Sequence, residues 1–475
     1  MSPTSLSYLL LLAGAALAHQ LLPPRWRNLF LLGVSWCFYL FAAPDFFPLL
    51  VLSIGVNYLL TRRMQGEKAR HRALLTAGLL FDFGVLFLFK YLQFTGAVLS
   101  VFLTWAGLPA LSLPAFVQPL GVSFYTFTVT GCLIDAYRGG ETEARFSEYA
   151  LFVSFFPAIL SGPIVRSRQF LPQLRRHGEP GAGASWEMVQ GGITRILIGL
   201  AKKLLLADQL AVAVNTVYAA PEAFSGPRII AAALAYTFQI YCDFSAYSDM
   251  AVGAGYLFGI TLPENFNAPY LAASVRDFWR RWHISLSTWF RDYLYFPLGG
   301  SRRGTARTCW NLLVVFAVSG LWHGAAMQFV LWGLLHGVFQ VGEHLWSART
   351  GKRAGAGGSV PSRLRTFFLC AAAWVFFRAD SAGHALSVFR QMAVPGPLFP
   401  LSAMGLPGSR WVVLAAGLAG LFLLDRVGGG PRLQTGLARR PWLRWGLWTG
   451  LLLAVLLFGA YGTAYDPQEF LYFKF

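Results

Sequence analysis

His323 sits inside NLLVVFAVSGLWHGAAMQFVLWGLLHG (311–337), a run otherwise apolar enough to lie in a bilayer. Asn311 is expected to enter the bilayer from the Arg-rich, cytoplasmic side. His323 follows 12 residues later, about 18 Å along a helix, which places its ring near mid-membrane. An ionisable group at that depth faces a bundle interior or a wet cavity rather than lipid, and burial disfavours its charged form. A neutral imidazole in a dry passage is suited to taking the proton from a hydroxyl that attacks an acyl carbonyl. The same residue fits a second use, a hydrogen bond between helices, with Gly324, Ala325 and Ala326 permitting close packing. His336 lies 13 residues on and, at about 100° per residue, points away from His323 if the helix is continuous. A third histidine, His283 in RRWHISLS, belongs to a different kind of segment, amphipathic and interfacial.

Around these histidines stand polar groups that need positioning. Tyr236, Gln239, Asp243 and Tyr247 recur at three- and four-residue spacings and form one stripe on a helix. Asp243 and Asp249 are acids inside an apolar run, so both must face protein or water. The stripe serves either as a buried network joining helices or as the wall of a substrate passage, with Asp243, Tyr247 and Trp322 lining it. From Ser274 to Tyr293, Phe278, Trp282, Trp289 and Tyr293 fall near helical spacing among Arg276, Arg280, Arg281 and Arg291. That pattern predicts one amphipathic helix at or just below the membrane interface.

The elements that carry these residues are membrane helices. The chain has 475 residues, of which 56% are hydrophobic and only 13% charged, which excludes a set of soluble domains of this length. Apolar runs of bridging length, bounded by Arg/Lys loops, predict about twelve crossings. They lie near 6–22, 28–43, 46–60, 74–92, 119–136, 190–219, 229–258, 311–327, 328–346, 366–380, 411–424 and 445–462. Segments 93–106 and 149–163 carry Pro or Gly, or upset the parity, and read as re-entrant. No Lys or Arg precedes the first run, whereas Arg25 and Arg27 follow it, so it reads as a retained helix with its N-terminus outside the cytoplasm. The fold class is all-α polytopic membrane protein, a single membrane-embedded domain over 1–475 with its motif core at about 119–346.

The net charge of +18 resides in the short loops. This matches cytoplasmic retention and contact with anionic membrane lipids, and gives no recognition fold for nucleic acid. Five cysteines are scattered without metal-ligand spacing, and no nucleophile elbow, P-loop, dinucleotide fingerprint or zinc motif occurs. No metal and no permanently bound cofactor are expected. With no internal repeat, a proton-coupled lipid or sugar transporter, in which His323 and Asp243 would relay protons, is the weaker rival.

Taken together, FQIYCDFSAYSDMAVGAGYLFGITLPENFNAPY (238–270), DFWRRWHISLSTWFRDYLYFPLGGSRRG (277–304), the run 311–337 and the ending EFLYFKF resemble the membrane-bound O-acyltransferase family. PLGVSFYTFTVTGCLIDAYRG (119–139) and SFFPAILSGPIVRSRQFLPQL (154–174) extend the resemblance in order along most of the chain. The likeness is to the bacterial branch that holds the membrane subunit of the alginate O-acetylation machinery. It implies that His323 is the catalytic residue, that His283 is the second signature histidine with a supporting role, and that some 11–12 helices surround a central funnel. It further implies acetyl-CoA as cytoplasmic donor, an extracytoplasmic polysaccharide as acceptor, a periplasmic SGNH/GDSL-like partner, and residence in the bacterial inner membrane. Arg276, Arg280, Arg281, Arg302, Arg303 and Arg307 would then be placed to meet coenzyme A phosphates, or serve only to fix topology. D-alanyl transfer to teichoic acid from a carrier protein is the nearest alternative within the family.

Overall fold

The computed structural model describes residues 2–64, 71–140, 142–177, 179, 183–352, 354–427, 436–437, 439–460 and 470–471. Of the ending EFLYFKF, only Phe470 and Leu471 fall among these. The described residues are helical and irregular, with no strand among them. The chain forms two compact units, Met1–Ser185 with Ala254–Pro263, and Trp186–Gly253 with Glu264–Phe475.

The first unit contains α1 (Leu6–Leu21), α2 (Pro24–Ala42), α3 (Phe47–Met64), α4 (His71–Leu86), α5 (Leu92–Trp105), α6 (Val122–Tyr137), α7 (Phe146–Ser154) and α8 (Ser167–Arg176). The second contains α9 (Trp186–Ala201), α10 (Asp208–Ala219), most of α11 (Gly226–Leu257), α12 (Val275–Trp279), α13 (Ile284–Phe290), α14 (Thr305–His323), α15 (Met327–Thr350), α16 (Val360–Arg378), α17 (Ala382–Gln391), α18 (Gly408–Val427) and α19 (Pro441–Phe458). Six helical stretches among the described residues are long and apolar enough to cross a membrane: Pro44–Met64, His71–Trp105, Gly226–Leu257, Val360–Arg378, Gly408–Arg426 and Pro441–Phe458. The protein is therefore an all-α, multi-pass membrane protein. Burial divides the spans by role. The most apolar stretch of α11 is 78% buried, against 11% for those of α18 and α19, so α11 is an internal post and the last two helices present their apolar side chains outward, to lipid.

Several boundaries differ from the sequence expectation. Residues 93–106 are not a separate re-entrant segment, because α5 continues α4 through a π-helical turn, Phe87–Tyr91, in a 35-residue apolar stretch. Segment 149–163 does break, as its Pro and Gly suggested: α7 stops at Ser154 and the following residues turn, all buried. The helix boundary placed between 327 and 328 lies at 324–326. The single amphipathic helix read over 274–293 is two short helices, α12 and α13, separated at 280–283 and followed by a π-helical turn, Arg291–Tyr295.

The second unit is fastened by buried charge. Between α9 and α10 a π-helical turn, Lys202–Ala207, widens the ladder by one residue per turn. It brings Asp208 beneath Lys203, five positions away, so that Lys203 Nζ lies 2.8 Å from Asp208 Oδ1 and 2.7 Å from Asp243 Oδ1. Lys202 reaches Asp249 Oδ2 at 2.7 Å, and Arg195 pairs with both Asp249 and Glu264. Each acid of α11 thus meets a cation from α9 or the turn after it, which is how charges survive inside an apolar unit.

Candidate active site

Helix α14 ends at His323, and the chain turns through Gly324, Ala325 and Ala326 before α15 begins. The two helices pack back on one another in antiparallel order: Gly320 abuts Phe329, Gly333 abuts Phe316 and Gly337 abuts Leu313. Asn311, Ser319, His323, Gln328 and His336 are buried, so the middle of the hairpin turns hydrogen-bonding groups into the protein, while Arg307 and Arg349 near its open end are exposed. This explains why neither helix is apolar enough to stand among the six spans, although the sequence reading counts both as crossings.

The hairpin tip places His323, only 1% exposed, in an aromatic box. Its ring centroid is 5.0 Å from Trp322, 5.0 Å from Trp332 on α15 and 5.3 Å from Phe377 on α16, each ring edge-on to it. His283 approaches from the broken α12–α13 segment and is fully buried. It lies 4.6 Å from Phe244 of α11, 6.0 Å from Trp322 and 6.4 Å from His323, centroid to centroid. Two histidines forty residues apart in sequence therefore lie side by side in one buried aromatic cluster.

His283 sits at φ 43°, ψ 54° as the residue before α13, one of two non-glycine residues with positive φ among those described. A left-handed residue cannot continue a helix, and this is the physical reason that the segment read as one helix is two. His336 also departs from expectation. Because the helix breaks at 324–326, His336 does not turn away; Trp332 bridges the two imidazoles, 5.0 Å from His323 and 5.2 Å from His336. His336 Nδ1 accepts a hydrogen bond from Trp279 Nε1 at 3.2 Å, tying α12 to α15. Glu343 reinforces that tie by accepting from the Val275 and Arg276 amides, 2.8 and 3.1 Å away, at the start of α12.

The other residues singled out in the sequence have their own partners. Asp243 is held by Lys203, and its second oxygen accepts the Leu471 amide at 2.8 Å. Tyr247 packs edge-on to Phe470 at 5.3 Å. Trp322 lies against both imidazoles, its ring 6.0 Å from His283 and 5.0 Å from His323. Arg276 and Arg280 are exposed, Arg281 pairs with Asp277 at 3.0 Å, and Arg302, Arg303 and Arg307 are exposed. No cluster of three or more His, Cys, Asp or Glu positioned for a metal occurs among the described residues. Sequence reasoning passed over Phe244, Trp332 and Phe377, whose aromatic character is common in apolar helices and carries no positional mark.

Burial pushes the His283 imidazole, which lies outside the spanning helices, from its ordinary 6.5 down to about 3. In the unfolded chain the ring binds a proton near pH 6.5, and in the folded chain only near pH 3. Its contribution to stability is therefore complete above pH 6.5 and is lost as pH falls from there towards 3, at about 1.4 kcal/mol per pH unit. Between pH 8 and pH 5 this one group is expected to cost about 2 kcal/mol. Thermal midpoints in detergent test this. His283→Gln is expected to lose less stability between those pH values than wild type, and parallel losses would contradict the assignment.

Comparison with known proteins bears directly on this cluster. The family model described as "MBOAT, membrane-bound O-acyltransferase family" matches residues 134–377, a stretch that contains both histidines and the whole aromatic box. The chain belongs to the membrane-bound O-acyltransferase family. It is similar to the "Probable alginate O-acetylase AlgI" of Azotobacter vinelandii, 37% identical over 384 residues that cover 79% of this chain and 74% of that one. It also resembles a peptidoglycan O-acetyltransferase of Helicobacter pylori, 35% identical over 78% of this chain and 74% of the other. A teichoic acid D-alanyltransferase of Bacillus subtilis is 33% identical over a shorter stretch, 46% of this chain and 57% of that protein. As a member of the family the protein is an O-acyltransferase, and its chemistry is to be sought where acyl donor and hydroxyl can meet.

Proposed function

We propose that the protein moves an acetyl group from cytoplasmic acetyl-CoA to hydroxyls of an extracytoplasmic polysaccharide across the bacterial inner membrane, directly or through a periplasmic SGNH/GDSL-like partner. The observation that carries this reading is the pairing of two buried imidazoles, 6.4 Å apart and surrounded by aromatic rings. His323 acts as general base. The acceptor oxygen attacks the thioester carbonyl carbon as its proton passes to His323, the carbon–sulfur bond breaks, and the proton leaves on the coenzyme A sulfur, giving an acetyl ester and a free thiol. His323 ends α14, where the carbonyl end of the helix dipole favours the imidazolium formed at mid-reaction. His283, neutral at working pH, donates an N–H towards the carbonyl oxygen as charge develops there. Arg276 and Arg280, exposed on one short helix and its end, are suited to the phosphates of coenzyme A.

Relatives that acetylate alginate or peptidoglycan over three quarters of the chain support an acetyl donor, while the D-alanyl relatives align with less than half of it. The test is reconstitution: purified protein in proteoliposomes, radiolabelled acetyl-CoA and candidate polymers. Ester-linked label on a polymer without solute uptake is expected, and pH-gradient-driven uptake without ester would overturn the reading in favour of transport.

A further inference from the structure

The main chain on either side of His283 is tied to the segment that precedes α12. The segment Glu264–Asn267 runs beside Arg281–Ser285 and pairs with it on both sides of the histidine. The Asn267 amide donates to the Arg281 carbonyl at 3.0 Å, and the Ile284 amide donates to the Asn265 carbonyl at 3.0 Å. Between these main-chain ties, the Asn265 side chain, itself 1% exposed, closes the loop. Its Oδ1 accepts from the Ser285 hydroxyl at 2.7 Å and from the Ser285 amide at 3.2 Å, and its Nδ2 lies 3.3 Å from Ser248 Oγ on α11. Ser248 is one turn beyond Phe244, the residue whose ring meets His283 at 4.6 Å. Asn265 therefore links the residue two places after His283 to the helix that forms the wall behind its ring.

This arrangement has a mechanical consequence. A non-glycine residue in the left-handed region carries about 1–3 kcal/mol of strain and persists only where its neighbours over-determine it. At φ 43° the His283 backbone is such a residue, and a few degrees of relaxation at its Cα move the ring relative to His323. Phe266, between Asn265 and Asn267, wedges the same joint, 5.0 Å from both Phe244 and Trp282. Removing the Asn265 amide leaves the fold's main-chain ties in place and releases only the side-chain clamp.

We infer that Asn265 is a positioning residue for acyl transfer, holding His283 in the strained conformation that faces its imidazole towards His323. The inference rests on the proposed role of His283, and the test separates the two. Asn265→Ala is expected to lower kcat about 10- to 100-fold, as misplacement by an ångström does. KM for acetyl-CoA should stay within about twofold, because nothing that binds the donor is altered. Asn265→Asp keeps the Oδ1 acceptor for Ser285 and is expected to recover most of the rate. Ser285→Ala, which removes the 2.7 Å bond to Asn265 and keeps the amide's bond to it, gives a milder version, with kcat a few-fold down and KM unmoved, readable even if Asn265→Ala fails to fold. Wild-type kcat per folded molecule in Asn265→Ala or in Ser285→Ala would overturn the inference. So would equal impairment of Asn265→Ala and Asn265→Asp. His283→Ala is run alongside: full activity there removes the role of His283 itself, while an inactive His283→Ala beside a fully active Asn265→Ala removes only the positioning role.

Discussion

Replacing His323 with alanine is expected to lower acetyl transfer by about 10²- to 10⁴-fold, the usual worth of a positioned general base, or about 3–5 kcal/mol of barrier. The loss should fall on kcat, since the ring is buried among Trp322, Trp332 and Phe377, whereas Arg276 and Arg280, proposed to meet the donor, are exposed. Truncating so enclosed a ring leaves a cavity and is expected to lower the thermal midpoint, while alanine continues α14 and keeps the main-chain bond from the Gly324 amide to the Gly320 carbonyl. Radiolabelled acetate on polymer, measured against the amount of folded protein, is the readout. Transfer at the wild-type rate would show that the cluster is structural, with His323 one more hydrogen-bonding residue between helices.

The second large effect concerns the hairpin that carries His323. A Cβ on Gly333 would run into the Phe316 carbonyl oxygen and stand 3.2 Å from the Gly320 Cα. These are backbone atoms of the facing helix, so no rotamer change relieves the clash and the two helices must separate. Overpacking a good core costs about 1–3 kcal/mol, and a backbone obstruction belongs at the top of that range or above it. Gly333 is also flanked by Trp332, the bridge between His323 and His336, so parting the helices opens the box as well. Gly342 on the same helix has no atom within 4 Å of the equivalent position. Gly333→Ala is therefore expected to abolish activity and lower the thermal midpoint sharply, while Gly342→Ala leaves both intact or gains up to about 1 kcal/mol from helix propensity. Equal midpoints for the two variants would contradict the packing account.

How much of this could be read from the chain depends on which kind of force fixes each feature. The membrane class and most helices follow from hydropathy, a sum over some twenty residues that survives local error. His323 stands out for a similar reason, as an ionisable group deep in an apolar run. His283 does not: alone it is one more interfacial histidine, and only the family resemblance singles it out. The break that positions it is invisible, because Phe278, Trp282, Trp289 and Tyr293 keep helical spacing across a left-handed residue. A positive φ at a non-glycine residue leaves no mark in composition; it is imposed by tertiary bonds such as those from Asn265. The same limit applies to His336, whose direction was reckoned on a continuous helix that in fact turns at 324–326. Asp243 reads equally well as passage wall or buried network until Lys203, forty positions earlier, is seen to hold it. Pairings of that sequence separation are settled by packing and are not encoded in spacing.

The arginines show the opposite case. Their density in short loops predicts the side of the membrane they face, and exposure is shared by a coenzyme A site and by topology retention alike. Arg281 is already engaged with Asp277, which leaves Arg276 and Arg280 as the more available pair on that segment.

The central claim, acetyl transfer from coenzyme A to a polysaccharide hydroxyl at the histidine pair, is tested most directly in proteoliposomes by following thiol and ester together. With acetyl-CoA on the arginine side and acceptor polymer present, wild-type protein is expected to release one free thiol for each acetyl ester formed on polymer, with both falling together in His323→Ala. A D-alanyl carrier protein in place of acetyl-CoA is expected to give no ester. Ester formation from the carrier but not from acetyl-CoA, or thiol release that persists unchanged in His323→Ala, would contradict the account.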